Sequence, residues 1–505
     1  MTTSDTTISS AEVADKPAIP GRGHWIEHWD PEDETFWEAR GAKIARKNLI
    51  LSMFAEHLGF GVWVVWTIVV LNLANAGFKL SLSELFILTL LPNLIGSCLR
   101  IPYTFAVPKF GGRAWTTVSA ALLLLPTVLL AVLVPSHWLA SQTHGTQLWV
   151  LALCAAASGV GGGNFASSMA NISFFYPERK KGFALGLNAA GGNLGVAVTQ
   201  LLIPLVVIIG VPAATVKLTK HHVHLAYAGL IWLPFVLGAA ILAWTKMDSL
   251  AQARTDKSAY VAAVKNQHTW LLSFLYIGTF GSFIGYSFAL PLVIKTSFPA
   301  FLHNHPFIAT YLAGLGFLGA LLGSLSRPAG GWLSDRVSAS KVTLTVFAGM
   351  AGFTGLAIAG VKQHSFSLFM TSFMLIFVLS GIGNGSTYKM IPSVLSSVDA
   401  GKPAVTPWTK RMVAAAIGIA GAIGALGGVL IQVVIRNASL HVSALETAAK
   451  TPAKKAAIAL AHSAWVAPAL WAFLVSYAVF GAVTYLVYVR VWSGRRADVP
   501  AVVPA

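Results

Sequence analysis

Charge is scarce in this chain. Only 10% of its 505 residues are Asp, Glu, Lys or Arg, against about 25% in an average soluble protein. That excludes a soluble enzyme with a wetted surface, and it excludes a disordered chain, which combines high charge with few apolar residues. Acid is scarcer than base: 18 Asp and Glu stand against 35 Lys and Arg, a net charge of +17. Cysteine is nearly absent. Cys98 and Cys154 both fall inside apolar runs, which argues against a disulfide framework or a thiolate metal site and for small buried side chains. A basic excess can mark a nucleic-acid binder, but that needs a wetted basic face. Here the charges sit in short segments between long apolar runs, the pattern of a membrane protein.

What the chain has instead is apolar length: 55% of it is hydrophobic. A membrane helix needs about 20 mostly apolar residues. Twelve such runs are read at 49–72, 82–106, 115–134, 147–175, 183–210, 225–245, 270–295, 308–333, 342–360, 366–394, 411–435 and 464–490. The first starts too far into the chain, and is too long, for a signal peptide. The expected organisation is a polar tail over 1–47 with an interfacial helix near Trp37–Ile44, a six-helix bundle over 48–245, a linker over 246–269, a second six-helix bundle over 270–492 and a tail over 493–505. With the N-terminus inside, Lys and Arg concentrate in the inner segments (Arg40, Lys43, Arg46 and Lys47 before span one; Arg179, Lys180 and Lys181 after span four) and are sparse in the outer loops. The positive-inside rule then places both termini in the cytoplasm.

The two halves echo each other. Leu99-Arg100-Ile101-Pro102 in span two is answered by Ser326-Arg327-Pro328 in span eight. The glycine run Gly159–Gly163 with Asn164 in span four is answered by Gly381-Ile382-Gly383-Asn384-Gly385 in span ten, and Gly186–Gly195 in span five by Gly418–Gly427 in span eleven. These pairs lie 227, 222 and 232 residues apart. A parallel repeat of six-helix units is the plan of the major facilitator superfamily, whose site lies at the midplane between the halves. The fold expected is therefore all-α, with twelve transmembrane helices in two pseudo-symmetric bundles. The loops PKFGGRAW (108–115) and GGWLSDRVSASK (330–341) are similar to the superfamily's loop motif, the second more closely through Gly331, Asp335 and Arg336.

Arg100 and Arg327 are the most informative residues. Nine residues separate Arg100 from Lys109 at the inner interface, which places it ~13 Å deep at 1.5 Å per residue. A charge at that depth is costly and usually functional. Snorkelling to the surface is the bland alternative, but a symmetric pair weakens it. Two facing guanidinium groups repel, so an anion is expected between them, and the planar paired donors of arginine suit a flat or multi-oxygen anion. The glycines in spans four, five and eleven are expected to serve close helix approach; no strand–turn–helix unit surrounds them, so they are not read as a nucleotide loop. Asn164, Asn171, Asn188 and Asn193 are polar amid apolar neighbours, with interhelical hydrogen bonding as their ordinary role. Glu56 and His57 lie about seven residues inside the first apolar run. A desolvated carboxyl there is a candidate for proton exchange; an interfacial ion pair is its ordinary reading. Lys389, ending span ten, is expected to snorkel. The stretch Lys220-His221-His222-Val223-His224 in an outer loop lacks a second ligand set and is read as a solvated loop rather than a metal site.

GVGGGNFASSMANISFFYP (159–177) and ALGLNAAGGNLG (184–195) resemble the nitrate signature of the nitrate/nitrite porter family, and AAAIGIAGAIGALGG (414–428) resembles its second copy. WDPEDETFWEARGAKIARKNL (29–49), FGSFIGYSFALP (280–291) and GNGSTYKMIP (383–392) are similar to the NarK-type branch. The resemblance covers nearly the whole chain. It implies that Arg100 and Arg327 are the paired substrate arginines, that Asn193 contacts the anion, that Tyr276 is a donor, and that Phe165 and Phe280, two of 28 phenylalanines, sandwich the flat ion. Asn188 and Gly421 fall in the two signature copies and join the candidate substrate site. Asp335 and Arg336 form the gate motif.

The function implied is transport of nitrate and nitrite by alternating access, as a monomer in the bacterial inner membrane, without cofactor or metal and without chemistry on the substrate. The family contains both proton-coupled nitrate symporters and nitrate/nitrite exchangers, and its exchangers carry no acid at the position of Glu56. Proton-coupled uptake is thus expected, with Glu56 and His57 as the proton site and antiport as the alternative. An anion channel would use the same arginines with an always-open path. A membrane redox enzyme would need facing histidine pairs, and most of the 14 histidines lie in tails and loops.

Overall fold

A computed structural model describes residues 20–21, 24–209, 224–253, 257–397, 407–449 and 462–491, with a few isolated positions between 451 and 458. Eleven helices among them are long and apolar enough to cross a membrane. They are α1 (Glu34–Asn72), α2 (Leu82–Phe110), α3 (Gly112–Val132), α4 (His144–Phe175), α5 (Arg179–Ile208), α6 (Ala226–Lys246), α7 (Gln267–Ser297), α9 (Ala339–Lys362), α10 (Phe366–Ser396), α11 (Arg411–Glu446) and α12 (Ala467–Arg490). Between α7 and α9 runs α8 (Phe317–Arg336), whose 20 residues reach about 30 Å. It is rich in Gly and Ser and carries Arg327, so it is less apolar than the rest, yet it packs against α5, α9 and α10. The chain is an almost entirely helical, multi-pass membrane protein.

Several boundaries differ from the sequence expectation for local reasons. The eighth crossing was expected to be continuous from 308. Positive φ at Ala313, Gly314 and Leu315 instead breaks it into a short helix, Pro306–Tyr311, and α8 proper. The expected interfacial helix near Trp37 is continuous with α1 through a π turn at Trp37–Gly41. Its start is set by Asp33, whose carboxylate accepts from the backbone amides of Thr35 and Phe36, and the hydrogen bond from the Thr35 hydroxyl holds that carboxyl below its usual range. The last loop is shortened, because the helix carrying α11 runs on to Ala448. Lys220–Val223 lie outside the described residues.

The helices from the two halves of the sequence meet pairwise: α2 against α11, α5 against α8, and α1 against α7. One end of the assembly, the tail face, gathers the N-terminal tail, the linker and the end of α12. There β1 (Pro20–Gly21) pairs antiparallel with β2 (Trp25–Ile26), which pairs parallel with β3 (Ser249–Leu250) of the linker. Asp248 accepts from Asn48 (2.8 Å) and pairs with Lys47 (2.7 Å). His268, at the start of α7, bonds the Tyr488 hydroxyl near the end of α12 (3.2 Å). At the opposite face Ser443 of α11 accepts from the Ser83 amide of α2 (3.0 Å).

Glycine permits the closest approaches. A Cβ on Gly161 would lie 2.1 Å from the Gly59 carbonyl oxygen, and one on Gly385 would lie 2.4 Å from that of Arg327. No rearrangement short of separating those helices would admit a side chain there, which bears out the small-residue packing expected of the glycine runs.

Candidate functional site

The centre of the molecule is built where helix geometry departs from α. In α4 the stretch Ser158–Gly163 is wound as a 3₁₀ helix and delivers Phe165. In α7 a π turn at Ile277–Gly281 follows Tyr276 and carries Phe280. Such irregular turns inside longer helices recur at functional sites. Both arginines precede a proline by one or two residues, Arg100 before Pro102 and Arg327 before Pro328.

Arg100 is fully buried. Its Nε donates to the Gly162 carbonyl of α4 (3.1 Å) and its Nη1 to the Gly421 carbonyl of α11 (3.0 Å). Its Cζ lies 4.6 Å from the Phe165 ring centroid, 4.8 Å from that of Phe280 and 5.5 Å from that of Trp63. Arg327 is 3% exposed. Its Nη2 donates to the Tyr276 hydroxyl (3.1 Å), and its Cζ lies 5.6 Å from Phe165 and 5.7 Å from Tyr388. One nitrogen of each guanidinium, Nη2 of Arg100 and Nη1 of Arg327, is buried without a protein partner among the described residues. A buried donor left unpaired costs about 1–3 kcal/mol, more when charged. Two such donors beside one aromatic cluster could donate to an oxyanion.

Phe165 and Phe280 stack at 5.7 Å with an interplanar angle of 23°, and Tyr276 stacks on Phe280 at 5.2 Å. A flat ion between two ring faces needs about 3.5 Å on each side, roughly 7 Å in all. The rings must part by on the order of 1 Å to admit one. Phe165 belongs to α4 and Phe280 to α7, so parting the rings means moving the two halves of the chain.

The other candidates fall into place around this core. Asn193 is fully buried, and neither its Nδ2 nor its Oδ1 has a protein partner among the described residues. Gly421 offers its carbonyl to Arg100, and a Cβ there would stand 3.8 Å from Phe165 and 3.9 Å from Arg100 Nη1, ordinary contact. Asn188 is turned to Glu56: its Nδ2 donates to Glu56 Oε2 (2.8 Å) and to Ser168 Oγ (2.7 Å). Glu56 is buried, within electrostatic reach of both arginines, and its Oε1 has no hydrogen-bond partner among the described residues. Gly192 makes room for it, since a Cβ there would lie 2.2 Å from Oε1. His57 points to a different neighbour, with Nδ1 2.9 Å from the Gly191 carbonyl. Asp335 and Arg336 lie apart from the core at the end of α8. Asp335 contacts the Lys389 ammonium of α10, so Lys389 is paired rather than snorkelling, and Arg336 stacks on Trp332 at 4.0 Å.

Residue-by-residue reading of the sequence missed Tyr388, gave Asn384 no role beyond the repeat, and left Asn164 with an interhelical role. Tyr388 presents a buried hydroxyl, without a partner among the described residues, beside Arg327 and Tyr276. Among the described residues neither Asn384, fully buried, nor Asn164, at 3% exposure, has a partner for either side-chain polar atom. The repeat held the signal: Asn384 follows Asn164 by 220 residues, close to the offset of the arginines. Ser168 links the network onward, 2.9 Å from Ser52.

Comparison with known proteins places this geometry. Residues 49–432 match the Major Facilitator Superfamily. The chain is 38% identical over 431 residues to the nitrate/nitrite transporter NarU of Escherichia coli (strain K12), covering 80% of this chain and 88% of that one. It is 36% identical over 406 residues to the probable nitrate/nitrite antiporter NarK2 of Thermus thermophilus, covering 78% and 87%. Among solved structures, a bacterial homologue of the lysosomal transporter Spinster, captured inward-facing and unoccupied, superposes with a TM-score of 0.60 at 14% identity, covering 88% of this chain and 96% of that chain; that likeness concerns the fold. The chain belongs to the Major Facilitator Superfamily and, within it, to the nitrate/nitrite transporters of the NarK type.

Proposed function

We propose that this member of the superfamily carries nitrate and nitrite across the bacterial inner membrane by alternating access, with both termini in the cytoplasm, as a monomer and without chemical change to the substrate. The observation that carries the reading is the pair of buried guanidinium groups, each with one donor left unpaired, beside stacked rings drawn from the two halves. In this mechanism the anion bridges Arg100 and Arg327, and its charge offsets their mutual repulsion. Asn193 and Tyr276 supply further donors. Entry parts Phe165 from Phe280, and closure over the bound ion restores the stack. Because Arg100 also grips Gly421 of α11, release of that contact accompanies the opening of the halves. A ring pair selects planar nitrate and bent nitrite over tetrahedral sulfate or phosphate by thickness alone.

For coupling, we infer proton-driven nitrate uptake through Glu56. The carboxyl lies within electrostatic reach of both arginines and is held by Asn188 and Ser168. A proton taken up there would remove the one negative charge that competes with the substrate for the arginines. His57 stands outside this network and serves at most a supporting part. Exchange of nitrate against nitrite is the second reading, favoured by the word antiporter in the name of the Thermus relative.

The test is counterflow of labelled nitrate into nitrite-loaded proteoliposomes, with and without an imposed proton gradient. A carrier shows trans-stimulation; a channel shows none. A symporter accumulates nitrate when only the gradient drives it; an exchanger requires nitrite inside. Absence of counterflow together with loss-free uptake in charge-reversed Arg100 and Arg327 variants would falsify the site.

A further inference from the structure

A second basic site lies at the tail face, outside the arginine core. Between α1 and α6 is a cavity of about 580 Å³, lined by Lys43, Arg46, Lys47, Ile50, Leu51 and Lys246. Four cations on one cavity would repel unless something answers them. Lys47 is answered within the chain by Asp248 at 2.7 Å, and that carboxylate is further occupied by Asn48. Among the described residues no carboxylate stands within ion-pair distance of Lys43, Arg46 or Lys246, and all three are exposed.

The wall below the cations is apolar. Ile50 is 49% exposed, and on α6 Leu242, one turn before Lys246, is exposed as well. α6 is also among the less enclosed crossings: 39% of its apolar window is buried, against 89% in α1 and 94% in α7. The cavity therefore opens toward the bilayer rather than toward the centre, which makes it a poor vestibule for the transported anion. A cationic rim above a lipid-facing apolar wall has the polarity of an amphiphile: anionic head at the interface, chain below.

We propose that this cavity binds an anionic phospholipid, with Lys43, Arg46 and Lys246 on the phosphate and the acyl chain along Ile50 and Leu51. A soluble phosphate compound would use the rim alone and gain nothing from the wall. Each basic residue near an anionic headgroup contributes about a fivefold factor in affinity, so removing all three should cost on the order of 100-fold.

The experiment is native mass spectrometry of the full-length protein in detergent, titrated separately with phosphatidylglycerol, phosphatidylethanolamine and glycerol phosphate. Phosphatidylglycerol should be retained well above phosphatidylethanolamine, and glycerol phosphate should neither bind nor compete. The variant K43Q/R46Q/K246Q should lose on the order of 100-fold in phosphatidylglycerol affinity, while K79Q/K362Q, with charges removed at the opposite face, should match the parent. Should the triple variant not fold, K246Q alone, at an exposed helix end, should lose about fivefold and K246R should restore it. Unchanged lipid retention in the triple variant or in K246Q would overturn the proposal, as would glycerol phosphate binding as tightly as the lipid.

Discussion

Arg100 and Arg327 stand at matching places in the two halves, yet they are held differently. Arg100 is fixed by two backbone carbonyls, one in its own half and one across the interface in α11. Arg327 is held by a side chain, the Tyr276 hydroxyl, and flanked by Tyr388, whose hydroxyl has no partner among the described residues. A helix carbonyl cannot turn away without unwinding the helix; a tyrosine can tilt. Arg100 is thus a rigid post that also ties the halves together, and Arg327 is the adjustable member. The surroundings differ too. Glu56 on α1 reaches both arginines, whereas α7, its counterpart, contains no acid anywhere over Gln267–Ser297. The pair of arginines follows the repeat; the acid breaks it. In the mechanism proposed above, symmetry would supply a binding site reachable from both sides, and asymmetry a place for coupling to a second ion.

That contrast can be broken experimentally. The largest effect is expected from charge reversal: R100E or R327E should abolish nitrate binding in isothermal titration, because each also leaves the other arginine neutralised by a protein group. Next, R100K should lose more than R327K, by about tenfold or more in transport affinity. Lysine cannot span both carbonyls, while a charge-assisted bond to one hydroxyl is worth only about 1.5–3 kcal/mol. Equal losses would mean the two posts are equivalent. Third, E56Q should remove nitrate accumulation driven by a proton gradient and flatten the pH dependence of uptake, while leaving nitrate/nitrite counterflow; G192A should act in the same direction by displacing the carboxyl. Accumulation that survives E56Q would return the chain to the exchangers. Fourth, Y276F should weaken nitrate binding by roughly tenfold, and Y388F by less, since its hydroxyl holds no hydrogen bond among the described residues. The smallest effect is expected at G421A, whose new methyl meets Phe165 and Arg100 at ordinary contact distance; at most a few-fold change in uptake affinity should result.

Much of this was legible in the residues because membrane insertion is a one-dimensional problem. Apolar length located the crossings, and the arginines stood out because a charge at that depth has few uses. The eighth crossing shows where this reading weakens. Its start depends on three consecutive positive φ values at Ala313, Gly314 and Leu315, and two of those residues are not glycine, so composition did not announce the break. Asn188 shows another limit. Its place in the signature suggested the anion, but its amide is committed to Glu56 and Ser168, which depends on how α1, α4 and α5 pack. Lys389 appeared as an isolated cation until α8 brought Asp335 to it. The tail, expected to be polar with one interfacial helix, adds a strand to the linker through Ser249–Leu250, a pairing across more than 200 residues.

The order of residues alone determined the number of apolar runs, the internal repeat and the presence of two intramembrane arginines, because each follows from hydrophobic length or from spacing along one chain. Only the folded molecule decided which atoms of those arginines remain free. Gly162 and Gly421 satisfy part of Arg100 with carbonyls from both halves, and Tyr276 satisfies part of Arg327. The remaining donors face the same aromatic cluster because helices far apart in sequence pack together, and hydrogen-bond satisfaction is a property of neighbours in space.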